Sequence, residues 1–137
     1  MATPLDSLAQ YIAVDLAIGA LGVVTFEDAM PDSAAGTYDT CVAVIGTGGS
    51  APALTLSDDT DYPGFLILSR SLNVDTALAN LATVFQGIHG LHETMIHGTY
   101  FKLIAALTSN PMNLGSDQRS RFMFSMSFRT MTRGISR

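Results

Sequence analysis

The residues of this sequence that are best suited to bind a metal are its three histidines, His89, His92 and His97. Imidazole nitrogens are common ligands of zinc and other transition metals. Glu93 is the only carboxylate near them, and no cysteine or aspartate follows at a spacing that would complete a ligand set. His89 and His92 flank Gly90, where a helix is expected to end. We therefore interpret the histidines as solvated residues at a helix terminus, and we expect no metal ion.

A glycine-rich segment suggests a second kind of chemistry, phosphate binding. Residues 46–51 read Gly-Thr-Gly-Gly-Ser-Ala and match a dinucleotide-binding pattern that follows a predicted strand. Pro52 comes next, however, and residues 53–62 contain no helical pattern that could supply phosphate-binding amides. No lysine completes a P-loop either. We interpret this segment as a loop between strands.

The aspartates Asp58, Asp59 and Asp61 could suggest calcium, but the rest of an EF-hand loop is missing. A solvated acidic loop is the simpler interpretation. No nucleophile elbow or other catalytic spacing occurs in the sequence. The sequence therefore predicts neither an enzyme nor a cofactor-binding protein.

The composition points to a protein with a permanent partner. Apolar residues make up 47% of the 137 residues, whereas charged residues make up only 14%, against about 25% in ordinary soluble domains. Such a surface exposes apolar patches or has them covered by a partner, and obligate interfaces are the more apolar class. The length predicts a single domain over residues 1–137. Cys41 is the only cysteine and predicts no disulfide bond, so it is expected to pack as a small apolar residue.

The charges are distributed unevenly along the chain. Nine acidic residues precede Arg70, the first basic residue, whereas after Gly98 six basic residues face only Asp117. The two halves can pair within one subunit, or they can give a subunit with an acidic and a basic side that suits head-to-tail packing in a ring.

The net charge of −5 argues against sequence-specific nucleic-acid binding, which needs a basic surface. The apolar stretch at residues 12–24 is too short to span a bilayer, so no membrane association is expected. The absence of a signal-peptide pattern predicts a cytosolic or particle-bound protein.

The elements that would position these residues form an α+β fold, a mainly antiparallel β-sheet packed on one face by two α-helices. The first helix begins at Thr3 and Pro4 and is expected to end at Gly19 or Gly22. Asn73 caps the second helix, over residues 74–90. Strands are predicted at residues 23–26, 39–45, 64–71, 95–108 and 122–131, and loops at residues 30–38, 46–62 and 110–118.

Two of the predicted strands are more informative than the others. Residues 65–68 form a continuous apolar run, which is typical of a central strand that is buried on both faces. In the last strand, aromatic residues and Met126 alternate with polar residues and with Met123 and Met131. Met123 and Met131 either fill the core or form a subunit interface on the outer side of this strand.

Residues 62–73 read Tyr-Pro-Gly-Phe-Leu-Ile-Leu-Ser-Arg-Ser-Leu-Asn and pass directly into the second helix. Residues 113–122 read Asn-Leu-Gly-Ser-Asp-Gln-Arg-Ser-Arg-Phe and precede the last strand. Over roughly residues 39–133 this arrangement resembles the tail terminator (minor capsid) proteins of long-tailed bacteriophages. That family often has an acidic residue followed closely by an arginine before the last strand, and Asp117 with Arg119 or Arg121 matches. The long loop at residues 46–62 departs from the family pattern.

The resemblance implies a structural virion protein that is assembled in the host cytoplasm. Members of the family form a hexameric ring, which docks on the last ring of tail-tube protein, stops its polymerisation and presents a surface to the head connector. DNA would pass through the lumen of such a ring. The loop at residues 46–62 would either become ordered on docking or line the lumen, where its acidic residues would repel DNA.

The resemblance also suggests which residues form the subunit or ring interfaces. The candidates are Arg70, Asp117, Arg119, Arg121, Met123, Arg129, Met131, Asp58, Asp59 and Asp61. Arg70 can alternatively pair with Asp75 or Asp117 within the subunit. Other functions that fit the sequence are a head completion or neck protein, a tail-tube protein and, in a different class, a small ligand-binding α+β domain.

Overall fold

The computed structural model describes residues 3–19, 25–28, 39–48, 60–117 and 120–133 of the chain. Its helices are α1 (Pro4–Gln10) and α2 (Val74–Ile88). Its strands are β1 (Thr25–Glu27), β2 (Cys41–Gly46), β3 (Thr60–Asp61), β4 (Gly64–Ser71), β5 (His92–Ile96), β6 (Thr99–Ala106), β7 (Met112–Ser116) and β8 (Phe122–Arg133). None of the helices in these ranges is long and apolar enough to cross a membrane.

The strands form one sheet in the order β1-β2-β4-β8-β6-β5. Each pair of neighbours is antiparallel except β1 with β2. The long strand β8 organises the sheet, because β4 and β3 pair with one of its edges while β7 and β6 share the other. The prediction that residues 64–71 form a central strand is therefore confirmed.

Helix α1 begins as predicted but ends earlier. The Asp6 amide donates to Thr3 Oγ1 at 3.1 Å, and Pro4 occupies the first turn. A π-helical turn (Tyr11–Asp15) follows, and the chain then leaves the helix through Ala17, whose φ is +55°. The predicted end at Gly19 or Gly22 is wrong, because the wider turn redirects the chain before either glycine.

The early end of α1 brings the chain close to helix α2. A Cβ atom added to Gly87 in α2 would lie 2.4 Å from Leu16 Cδ2. Leu16 therefore packs directly against the backbone of α2, and only a glycine at position 87 permits that approach.

Helix α2 follows the sequence prediction closely. The Asn73 side chain accepts from the amides of Asp75 and Thr76, at 2.8 Å and 3.4 Å. The helix ends before Gly90, which has a φ of +85°. One face of α2 is fully buried against the sheet, and it consists of Ala77, Leu81, Val84 and Ile88.

Both helices pack on the same face of the sheet, as predicted. Leu8 and Ile12 come from α1 and its π-helical turn. The sheet contributes side chains that alternate along the strands: Val42 and Val44 in β2, Phe65 and Ile67 in β4, and Phe124, Met126 and Phe128 in β8. We call this side of the sheet the inner face, and the opposite side the outer face.

Two sequence predictions for the second half of the chain are wrong. Residues 95–108 do not form one strand but part of a hairpin of β5 and β6, whose turn contains His97 and Gly98 with φ of +42° and +94°. Residues 110–118 were expected to form a loop, but they contain β7. Its register shifts between Asn113 and Gly115, so this short edge strand accommodates a glycine that sequence rules assign to loops.

Candidate assembly interface

The outer face of the sheet carries apolar side chains that the subunit only half-buries. Successive residues of a strand point to opposite faces, and residues in register on neighbouring strands share a face. Leu66 is in register with Ile45 and with Ser127, and Leu103 with Met131. By this pattern the half-buried apolar residues of the outer face include Ile45, Leu66, Leu68, Leu103, Met123 and Met131. Arg129 and Ser127 lie between the pair Leu103 and Met131 and the pair Ile45 and Leu66. Apolar side chains that stay partly in water in this way are a feature of protein–protein interfaces.

Met123 and Met131 both lie on this outer face, on the side of β8 away from the helices. Both are half-buried. Methionine is enriched in interface cores because its flexible thioether adapts to irregular contacts. Their role in a subunit interface stays a prediction.

The predicted acid–arginine pair before the last strand forms an ion pair within the subunit. Arg121 Nη2 lies 2.7 Å from Asp117 Oδ2, and Arg121 Nε donates to the same oxygen at 2.8 Å. Arg121 Nη1 also lies 3.5 Å from Asp39 Oδ1, and the Arg121 side chain is only 4% exposed. The chain reaches this arrangement through a turn at Ser120, whose φ is +61°.

This ion pair joins the end of β7, the start of β8 and the segment before β2. The Asp117 carboxylate also accepts from the Arg121 amide through Oδ1, at 3.1 Å, so the two residues are held by backbone as well as side-chain contacts. The sequence placed Asp117 and Arg121 at a ring interface. Their described contacts are internal, so an effect on a ring would act by positioning β7 and β8, and the interface role itself stays a prediction.

Arg70 is also buried, on the outer face at the end of β4. It is in register with Cys41 on one side and with Met123 on the other. Burial raises the pKa of the Cys41 thiol, and the positive charges of Arg70 and Arg121 oppose that shift. The thiol is therefore protonated and packs as an apolar residue, as predicted. Asp117, one of the acids that the sequence offered to Arg70, holds Arg121.

Of the remaining predicted interface residues, two lie within the described part of the chain and three lie outside it. Arg129 is exposed on the outer face and makes no hydrogen bond or ion pair with any described residue. Asp61 is half-buried in β3, next to the end of β8. Asp58, Asp59 and Arg119 lie outside the described residues, as does most of the predicted loop at residues 46–62.

The three histidines make separate contacts. His89 Nδ1 accepts from the Ala106 amide at 2.9 Å. His92 Nδ1 lies 3.1 Å from the Gly90 carbonyl oxygen, and His97 Nε2 lies 3.4 Å from Asp15 Oδ2. Within the described ranges, no three potential metal ligands lie close enough together to bind one ion.

An acidic edge lies at the other end of the sheet, where β1 meets α1. The Glu27 and Asp6 side chains share a hydrogen bond, which together with partial burial and the charges of Asp6 and Asp28 raises the pKa of Glu27 to about 7. Asp28 Oδ1 accepts from the Gly46 amide at 3.0 Å. We call Asp6, Glu27 and Asp28 the acidic edge.

One apolar surface was missed by sequence reasoning. Leu107, Met112 and Leu114 are exposed on the connection from β6 to β7 and on β7 itself, Met112 by 63%. The sequence did carry a signal for a strand here, because Met112 and Leu114 alternate with the polar Asn113. Pro111 and Gly115 obscured it, because both favour loops.

The chain is similar to known proteins both in sequence pattern and in fold. The family model described as "Bacteriophage tail terminator protein" matches residues 14–132. No curated protein matches the chain. Among solved structures, a chain from "Virion of native gene transfer agent (GTA) particle" superposes with a TM-score of 0.65 at 16% identity, covering 97% of this chain and 100% of that chain. At this level of identity the second similarity shows a shared fold.

Proposed function

The chain belongs to the bacteriophage tail terminator family, and we propose that it forms a ring of six copies that caps the tail tube. The protein is a structural component of the virion, and it associates with other tail or head proteins. In our proposal the ring docks on the last ring of tail-tube protein, ends tube polymerisation and joins the tail to the head connector. Its work is assembly and not catalysis.

The family match over residues 14–132 is the observation that carries this proposal. The outer face supports it independently, because a subunit with only 14% charged residues leaves apolar side chains half-buried along β2, β4 and β8. Apolar surface is stabilised when a second protein removes it from water. A ring of identical subunits can provide that cover for every copy.

The proposal is tested by the solution mass of the purified protein, measured by light scattering, with negative-stain images of the same fraction. Six copies of the 14.5 kDa chain come to about 87 kDa. A closed ring of this mass with no longer tubes is the expected result. Stacked tubes would instead identify a tail-tube protein.

A monomer in isolation calls for a second measurement, since some ring subunits close only on their partner. Preformed tail tubes are then mixed with the protein, and tube length is followed after tube protein is added. We expect tubes to stop growing and to carry one extra ring at an end. Unchanged growth without bound protein would exclude the terminator function and favour a neck protein or a ligand-binding domain.

A further inference from the structure

We propose that the ring contact is head-to-tail and that the outer face around Arg129 of one copy docks on the acidic edge of the next copy. This inference rests on the ring of the proposed function and names the two surfaces that form it. The occupant of each surface is a second copy of this chain. The two surfaces are complementary in charge, since one carries an exposed cation and the other carries carboxylates that pair with no lysine or arginine of the described residues.

Arg129 stands on the outer face with little around it. Its register neighbours are Gly64 in β4 and Ala105 in β6, both too small to cover a guanidinium. The next residue on the same face of β8 is the half-buried Met131. A guanidinium above a small and apolar surface is well placed to bind a carboxylate of another protein, because the site loses water easily.

The other cations of the described residues are engaged within the subunit. Arg70 and Arg121 are buried. Lys102 Nζ donates to Thr60 Oγ1 at 2.5 Å, and the Arg133 guanidinium lies 4.8 Å from the centre of the Tyr100 ring. Arg129 is therefore the described cation that is both exposed and without a described partner.

The acidic edge has carboxylates but no basic side chain on its own elements. Helix α1 and strands β1 and β2 carry carboxylates and no basic residue. The hydrogen bond to Asp6, partial burial and repulsion by the charges of Asp6 and Asp28 together raise the pKa of Glu27. No lysine or arginine of the described residues pairs with Glu27. A guanidinium from a neighbouring subunit would relieve this repulsion and bind both carboxylates.

Arg129 and the acidic edge cannot meet within one subunit. They lie three strands apart, which is about 14 Å at the usual strand spacing. Glu27 is in register with Val44, which belongs to the inner face, whereas Arg129 belongs to the outer face. Two different surfaces that complement each other make a heterologous contact, and such contacts generate rings when the rotation closes.

The test uses charge reversal at each surface and in both together. We expect Arg129→Glu and Glu27→Lys each to raise the protein concentration needed for ring formation at least tenfold, and the double variant to restore it to within threefold of wild type. The readout is the mass distribution from light scattering over a dilution series. If the ring closes only on preformed tail tubes, the same variants are compared by the concentration that half-saturates the tube ends.

Folding is measured separately for each variant. Glu27→Lys places opposite charges side by side, so its thermal unfolding temperature should equal or exceed that of wild type while its assembly weakens. Asp75→Lys is the matched control, since it makes the same charge change at an exposed carboxylate on α2. It should leave assembly unchanged.

The outcomes separate this inference from the proposed function. A ring that tolerates both single reversals, or that the double variant fails to restore, overturns the head-to-tail contact and leaves the terminator function standing. A wild-type two-fold dimer would overturn the contact geometry as well. A wild-type chain that forms no ring alone or on tail tubes overturns both.

Discussion

The two faces of the sheet are built from the same strands but differ in how far the subunit completes them. On the inner face, Val42, Val44, Ile67 and Phe128 are almost fully buried under the two helices. On the outer face, Ala43 and Arg70 are also buried, but Leu66 and Leu68 of strand β4 are only half-buried and Arg129 is exposed. A single alternating strand can therefore serve folding on one side and leave side chains for assembly on the other.

Stability should differ most between substitutions at two adjacent residues of β4, Ile67 on the inner face and Leu66 on the outer face. Ile67 is 0% exposed, so Ile67→Ala leaves a cavity and should lower the free energy of unfolding by about 3 kcal/mol. Leu66→Ala should lower it by only about 1 kcal/mol, because the side chain is already partly in water. Urea unfolding of the monomeric subunit measures both values. Equal losses would mean that the outer face is completed within the subunit.

A smaller difference in unfolding free energy is expected between substitutions at two arginines, one just before β8 and one within it. Arg121→Met removes a buried cation and leaves Asp117 and Asp39 without it, which should lower the free energy of unfolding by about 2 kcal/mol. This figure is below the usual range for a buried pair, because both aspartates are partly exposed. Arg129→Met should change it by less than about 0.5 kcal/mol. If the two substitutions had similar effects on urea unfolding, the internal role of Arg121 would be wrong.

A smaller effect tests the contact between the end of α1 and helix α2. Gly87→Ala should gain helix propensity, worth about 1 kcal/mol, yet the new methyl group would lie 2.4 Å from Leu16 Cδ2. We expect the clash to prevail and the free energy of unfolding to fall by about 1 kcal/mol. Combining Gly87→Ala with Leu16→Ala in a double-mutant cycle should recover much of this loss. A stabilising Gly87→Ala would show that Leu16 moves aside freely.

The smallest effect concerns the pH dependence of the acidic edge. Glu27 has an ordinary pKa of 4.5 and a pKa of about 7 in the folded subunit. Between these values the folded subunit binds more protons than the unfolded chain, so stability falls as the pH rises from about 4.5 to 7. Glu27→Gln should flatten this part of the profile of unfolding free energy against pH. A profile that keeps its slope in Glu27→Gln would assign the titration to another group.

Sequence reasoning predicted the elements with strong local signals. Helix α2 with its Asn73 cap, strand β4 and the alternation of β8 all follow from short-range patterns. The π-helical turn after α1 has no such signal, and Leu16, which follows it, contacts Gly87 far along the chain. Strand β7 was missed because its pairing with β8 outweighs the loop preference of Pro111 and Gly115.

For the candidate interface, too, the sequence predicted the general property but not the role of each residue. The low charge content and the separation of acidic from basic residues indicated assembly from the sequence alone. The sequence could not distinguish the roles of Arg121 and Arg129, because Arg121 directly precedes β8 and Arg129 lies in the same strand. In the structure one is buried against Asp117 and the other is exposed between Gly64 and Ala105.

The class of fold, the starts of the helices and the alternation of the strands follow from the sequence, because these depend on the propensities and spacing of neighbouring residues. Which charges are internal and which remain at the surface is set by the folded structure. That choice depends on the order of the strands, which brings residues 39, 117 and 121 together and keeps Arg129 three strands away from Glu27. Such distances are set by long-range pairing, and no local pattern in the chain encodes them.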